Sequence, residues 1–307
     1  SASTDNSRTV VSESWTERDN SRSDANKYEF ERFNFDGNEK IVCVDGDNAP
    51  VVFNTSFTAT DVSTSSVAGA SIVTAFKNHM FYAGMSSTPQ EVVFSQPFDE
   101  DAFSSGSGAG SFKVDDTIVG LKVFRDSLFV FCENRIFKLV GSSSSDFAVS
   151  PVTRDIGCIN GHTIQEFAGD LIFLGPDGLR TVAGTARIGD VELGTISQNV
   201  QDVFSENITD SSVFESVVIP EKTQYRLFFS KAGALESRTE GLICVLKSQS
   251  SGQQGYEFSK INGIKPASTD TFIEAGNILV LHGGFDGYVY RLEESSTFNG
   301  TAINGKS

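Results

Sequence analysis

Phe124-Arg125-Asp126-Ser127-Leu128-Phe129-Val130 is answered 43 residues later by Phe167-Ala168-Gly169-Asp170-Leu171-Ile172-Phe173. Each copy is an aromatic residue, a short polar turn and an apolar strand. A second turn and strand follow each, around Asn134-Arg135 in one and Asp177-Gly178 in the other. Phe76-Lys77-Asn78-His79-Met80-Phe81-Tyr82 supplies a third copy 48 residues upstream of Phe124. A hairpin unit reused at roughly 40 to 50 residues, with no helix between copies, predicts the blades of a propeller.

Six such units can be read in order. Tyr28 to Phe53 gives two apolar runs around Asp36-Gly37-Asn38, and Ala70 to Phe103 forms the second unit. Asp116 to Ser150 is the third, His162 to Phe204 the fourth, Ser212 to Lys265 the fifth, and Thr271 to Glu293 the sixth. Helical periodicity is nearly absent, and only Asn199 to Phe204 reads as a short helical turn. The expectation is an all-β, six-bladed β-propeller of short antiparallel strands over residues 29–303, preceded by an extended polar arm (1–28) and followed by a tail (304–307). The arm is expected to be disordered or laid over a neighbouring subunit. The Ser104–Ser111 tract, made only of Ser, Gly and Ala, reads as a surface loop. Arm (1–28) and tract (104–111) are the segments expected to make inter-subunit or lumen contacts, with solvated ends as the equal alternative.

Composition narrows the function. The 24 basic and 40 acidic residues leave a formal charge of −16, and a surface of that sign repels nucleic acid, whose binding leans on Lys and Arg. Cys43, Cys132, Cys158 and Cys244 are too scattered for a metal site, and three sit inside apolar runs, so buried free thiols are expected. No apolar run approaches the ~20 residues that cross a bilayer, so no membrane anchor is expected. The chain opens on Ser1 without a signal-peptide pattern, which suggests a processed product or part of a longer polypeptide.

Chemistry finds no footing in the spacing. Asp99-Glu100-Asp101 and Asp115-Asp116 are acidic turns on an acidic surface, with nothing to single out the facing pair that glycoside hydrolysis needs. Asp177-Gly178 and Asp286-Gly287 look like Asp-box turns, which are structural and suit hairpins that need φ > 0. His79, His162 and His282 lie in three blades at unlike offsets, so they are not expected to converge. Gly106, Gly108 and Gly110 lack the strand-to-helix context of a dinucleotide loop. The sequons at Asn54, Asn207 and Asn299 are near the number chance would give. The chain is therefore read as no enzyme, with no catalytic, cofactor or metal residues.

Several phrases in a fixed order carry a family likeness: Lys40-Ile41-Val42-Cys43-Val44-Asp45-Gly46, Phe76 to Gly84, and Val93-Phe94-Ser95 leading to Phe98 and Phe103. Ile118-Val119-Gly120-Leu121 and Arg154-Asp155-Ile156-Gly157-Cys158 follow, then Leu171-Ile172-Phe173-Leu174. Asp286-Gly287-Tyr288-Val289-Tyr290 precedes Phe298 to Ile303. Over roughly residues 30 to 303 the chain resembles the β-propeller part of bacteriophage tail nozzle proteins, the tail tubular protein B and packaged-DNA stabilisation group of short-tailed phages. The resemblance implies a virion tail protein that forms a ring of its own copies, commonly sixfold. It also implies neighbouring tail adaptor and tail fibre proteins, transient non-specific passage of DNA, and a nozzle that retains and then releases the genome. Members of that group are usually longer than this chain, which leaves room for a reduced relative or a fragment. The alternative expectation is a receptor- or glycan-binding propeller at the tail tip, with Tyr82 or Tyr288 stacking on sugars.

Overall fold

A computed structural model describes residues 16–22, 26–183, 195–210, 213–230, 239–248, 254–262, 264, 266–285, 287–292, 297–298 and 301–302. Six antiparallel sheets follow one another along the chain, each built from consecutive strands. The first holds β1 (Glu29–Phe35), β2 (Asn38–Val44), β3 (Val51–Phe53) and β4 (Ala59–Asp61). The second holds β5 (Ile72–Phe76), β6 (His79–Ala83), β7 (Glu91–Phe94) and β8 (Gly110–Lys113). The third is β9 (Ile118–Phe124), β10 (Ser127–Cys132), β11 (Ile136–Val140) and β12 (Ala148–Thr153). Three strands make the fourth: β13 (Gln165–Phe167), β14 (Asp170–Gly175) and β15 (Gly178–Thr181). In the fifth lie β16 (Val213–Ile219), β17 (Gln224–Ser230), β18 (Thr239–Ser248) and β19 (Gln254–Asn262); the sixth has β20 (Pro266–Glu274), β21 (Asn277–Gly284) and β22 (Val289–Arg291). A two-stranded hairpin, β23 (Thr297–Phe298) and β24 (Thr301–Ala302), follows. The chain is an all-β, six-bladed β-propeller.

The repeat seen in the sequence is the turn between the first two strands of a blade. Phe76 pairs with His79, Phe124 with Ser127 and Phe167 with Asp170, so each turn has two central residues. The same device closes Asp36-Gly37 and Ala275-Gly276. Positive φ at Asp36 and Gly37, Lys77 and Asn78, Ala168 and Gly169, and Ala275 and Gly276 gives these turns the twist that flanking strands require. Gly is therefore favoured at the second position, and Asn78 is the next best residue there.

First strands pack on one another, β1 on β5, β5 on β9, β13 on β16 and β16 on β20, and so form the inner edge of the blades. Five apolar clusters fill the spaces between neighbouring blades. Phe33, Phe35, Val73 and Tyr82 join the first to the second, and Phe76, Phe81, Leu128 and Val130 join the second to the third. Phe131 and Phe173 meet between the third and fourth at 5.4 Å between ring centroids, within the preferred range for tilted rings. Phe167, Leu179, Tyr225 and Phe229 join the fourth to the fifth, and Val217, Phe228 and Val280 join the fifth to the sixth.

Several expectations are corrected. The second blade runs to Lys113 rather than Phe103, because Gly110 and Ser111 belong to β8 and pair with Phe94 and Val93. Gly110 is there for space, since a Cβ on it would stand 2.8 Å from the Phe94 ring. The 104–111 tract is thus mostly loop, and only Gly110 and Ser111 belong to the outer strand. The helical turn at Asn199 to Phe204 is the start of a longer helix, α1 (Gln201–Asp210), which buries Val203 and Phe204 in the fourth-blade core. Residues 16–22 of the arm lie on the chain's own first blade: Arg22 donates to the Ala49 carbonyl at 2.6 Å and pairs with Asp19 and Asp61. Residues 1–15, 23–25, 303 and the 304–307 tail fall outside the described residues, as do Asp286 and Asn299.

Candidate functional site at the channel mouth

A first strand faces the axis with one edge of unpaired backbone groups, which must find partners elsewhere. Side chains of the preceding blade provide them. Glu31 on β1 accepts from the Ala75 amide of β5 at 3.0 Å, and Gln165 on β13 donates to the Ser216 carbonyl of β16 at 3.1 Å. Glu215 on β16 accepts from the amide and hydroxyl of Thr269 on β20 at 3.1 and 3.2 Å. The Ser216 hydroxyl donates to the His162 carbonyl at 2.6 Å, and the buried Tyr225 hydroxyl donates to Thr163 at 2.9 Å.

At one end this polar lining opens into a cavity of about 420 Å³, walled by Lys27, Glu29, Asp45, Asn160 and His162 and by the glycines Gly46, Gly84, Gly120 and Gly161. Lys27 enters from the segment just before β1 and pairs with the buried Glu215 of the fifth blade. Burial pulls the Lys27 ammonium down to about 8, opposed by Glu29. Burial pushes Glu29 up to about 7, against the Val73 amide that hydrogen-bonds its carboxylate. Glu31 is raised by burial as well, with the Ala75 amide opposing. His162 is lowered to about 4 by burial and then by the Lys27 charge, so it is neutral near pH 7. Asp45 is held by its own turn, accepting from Asp47, Asn48 and the Asn48 side chain at 2.7 to 3.0 Å. The mouth therefore concentrates groups whose protonation is shifted by burial and by one another.

The residues singled out in the sequence are scattered. His79 is buried in the second blade, hydrogen-bonded through Nδ1 to the Ser95 carbonyl at 2.6 Å and ringed by Phe81, Phe94 and Phe147. His162 lies at the channel mouth, and His282 stacks on Tyr290 in the sixth blade at 5.0 Å. Among the described residues no group of three or more His, Cys, Asp or Glu could hold a metal ion. All four cysteines are free and buried. Asp177 anchors the β14–β15 turn, accepting from Arg180 Nε and Nη2 at 2.8 and 2.5 Å and from Thr195 Oγ1 at 2.8 Å. Glu100 pairs with Lys40, Asp115 pairs with Arg135, and Asp116 accepts from the Asn134 amide at 2.7 Å. Tyr82 is corrected: it is 0% exposed and its hydroxyl donates to the Glu100 carbonyl, so it cannot stack on a sugar. Tyr288 is 51% exposed. Among the described residues no helix is long and apolar enough to cross a membrane.

Sequence reasoning missed Lys27, Glu29, Glu31 and Glu215. The two β1 residues carried one signal: carboxylates at alternate positions of a strand share one face.

The sequence matches no family model and no curated protein. Solved structures similar to this chain include the N-terminal domain of Nup159, with 9% identity over 87% of this chain and 76% of that one and a TM-score of 0.45. Hsv2 of Kluyveromyces lactis matches at 9% over 74% and 71%, with a TM-score of 0.42. Raptor of Chaetomium thermophilum matches at 9% over 88% and 24%, with a TM-score of 0.48. Such likeness concerns the overall fold alone.

Proposed function

We propose that this chain is a non-enzymatic structural protein of a phage tail, a nozzle ring made of its own copies whose lumen retains and then releases the genome. The observation that carries the proposal is the distribution of the family-like phrases. They fall on β2, β5 to β7, β9, β14 and β22, and the Gly157 phrase leads from the third blade into the fourth. The resemblance thus follows the first four blades and the sixth rather than one generic hairpin. A charge of −16 suits a lumen past which DNA slides by repulsion. Tail adaptor and fibre proteins are the expected neighbours, and the virion tail the expected location.

A second reading, a receptor- or glycan-binding propeller, draws on exposed Tyr288 and on a cavity of about 520 Å³ beside the second blade. Ser65, Ser66, Thr88, Glu91 and Ser111 line that cavity next to Phe103. Its size and its mix of hydroxyls with an aromatic ring suit a short sugar. Native mass spectrometry together with a glycan array tests both readings. Six or twelve copies without sugar retention supports the nozzle; a monomer or trimer that retains a sugar overturns it.

A further inference from the structure

Five apolar clusters serve the five junctions from the first blade to the sixth, and among the described residues none joins the sixth blade back to the first. Among the described residues no sheet combines strands from the two ends of the propeller either. Strand alternation identifies the two walls of this last junction. Glu31, Phe33 and Phe35 turn toward the second blade, which leaves Phe30 and Arg32 on the opposite face of β1. Thr269 turns toward Glu215, which leaves Asp270 and Phe272 on the opposite face of β20. Phe30 is 59% exposed and Phe272 40%, whereas Phe33 and Phe35, on the other face of β1, are buried.

A polar contact stands where the sixth core would be. One carboxylate, Glu215, holds Thr269 of the sixth blade through one oxygen and Lys27 of the first blade's lead-in through the other. The other charged or titratable groups facing Lys27 are Glu29 and His162, and Asp45 lines the same cavity. Glu215 is buried whereas the Lys27 side chain is 33% exposed, so removing Lys27 strands a buried carboxylate.

We propose that the propeller is a split ring, strapped shut by the Lys27–Glu215 pair, and that it opens along the seam between the sixth and first blades. The inference is independent of the virion reading. Opening is local, because the five apolar junctions bind the other blades into one body.

Hydrogen exchange of the full chain tests the strap. Lys27→Met is expected to speed exchange in β1 and β20 by about tenfold or more, while β10 and β14 stay at the wild-type rate. Lys27→Arg should restore the wild-type rate in β1. The double variant Lys27→Met, Glu215→Gln removes the strap without leaving a stranded charge, so β1 and β20 should both still exchange fast, and a return of both to the wild-type rate would overturn the proposal. Unchanged β1 and β20 in Lys27→Met would overturn the proposal. So would a parallel rise in all six blades, which would mean global loss of stability rather than a seam.

Discussion

Asp177→Ala decides whether the Asp-Gly turn of the fourth blade is structural. The Arg180 side chain is 3% exposed, and Asp177 supplies the acceptors for its Nε and Nη2 atoms. The same carboxylate takes the Thr195 hydroxyl, and the Asp177 carbonyl accepts from Gln201 at 2.5 Å, which ties the turn to α1. Burial works against the charge, yet the bonds from Arg180 and Thr195 leave Asp177 below the usual carboxylate range. Asp177 itself is 41% exposed, so its own charge contributes little; the cost of the variant is a buried guanidinium without a counterion. That cost is about 3–5 kcal/mol. Asp177→Asn keeps an acceptor and loses the charge, so roughly half of that is expected. Asp126→Ala, at an exposed position, should stay within about 0.5 kcal/mol. Urea unfolding followed by circular dichroism measures all three. A loss under about 1 kcal/mol for Asp177→Ala, with Arg180 still buried, would refute the structural role.

His162 gives a pH signature. Its pKa lies at about 4 in the folded chain against 6.5 unfolded, so the unfolded chain binds more protons between those values and stability falls as pH drops from 6.5 to 4. The loss is about 3 kcal/mol. Glu29 titrates the opposite way, from 4.5 up to about 7, gaining stability as pH falls; the difference between wild type and His162→Gln isolates the histidine. Gly157→Ala should cost about 2–3 kcal/mol, because a Cβ there would stand 2.3 Å from the Glu133 backbone, which cannot yield as a side chain would. Burial pushes the thiols of Cys43, Cys132, Cys158 and Cys244 up to about 12. A thiol reagent at pH 8 should therefore label none in the folded chain and all four in guanidinium.

The hairpin repeat was legible because a two-residue turn has narrow chemistry. Asp36-Gly37, Lys77-Asn78 and Ala168-Gly169 sit between apolar runs, and few other residues tolerate two positive φ values in succession. Outer strands were not legible. β8 reads Gly-Ser-Phe-Lys at the end of a Ser/Gly tract, and an outer strand needs few apolar residues because little packs on it. Tyr82 was misjudged for the opposite reason. All five residues of β6 are buried, since a blade between two neighbours hides both faces and the usual alternation disappears. Only the first turn of α1 showed, because Val203 and Phe204 are its fully buried apolar residues. The channel mouth lay beyond reach: Lys27 and Glu215 meet only because the topology brings a lead-in to the first blade beside the fifth.

Electron microscopy of the assembled chain tests the nozzle proposal most directly. The account predicts class averages with six- or twelvefold rotational symmetry around an open lumen, and a lumen surface whose exposed side chains are acidic or neutral. A monomeric particle, or a ring with a continuous Lys and Arg lining, would contradict it.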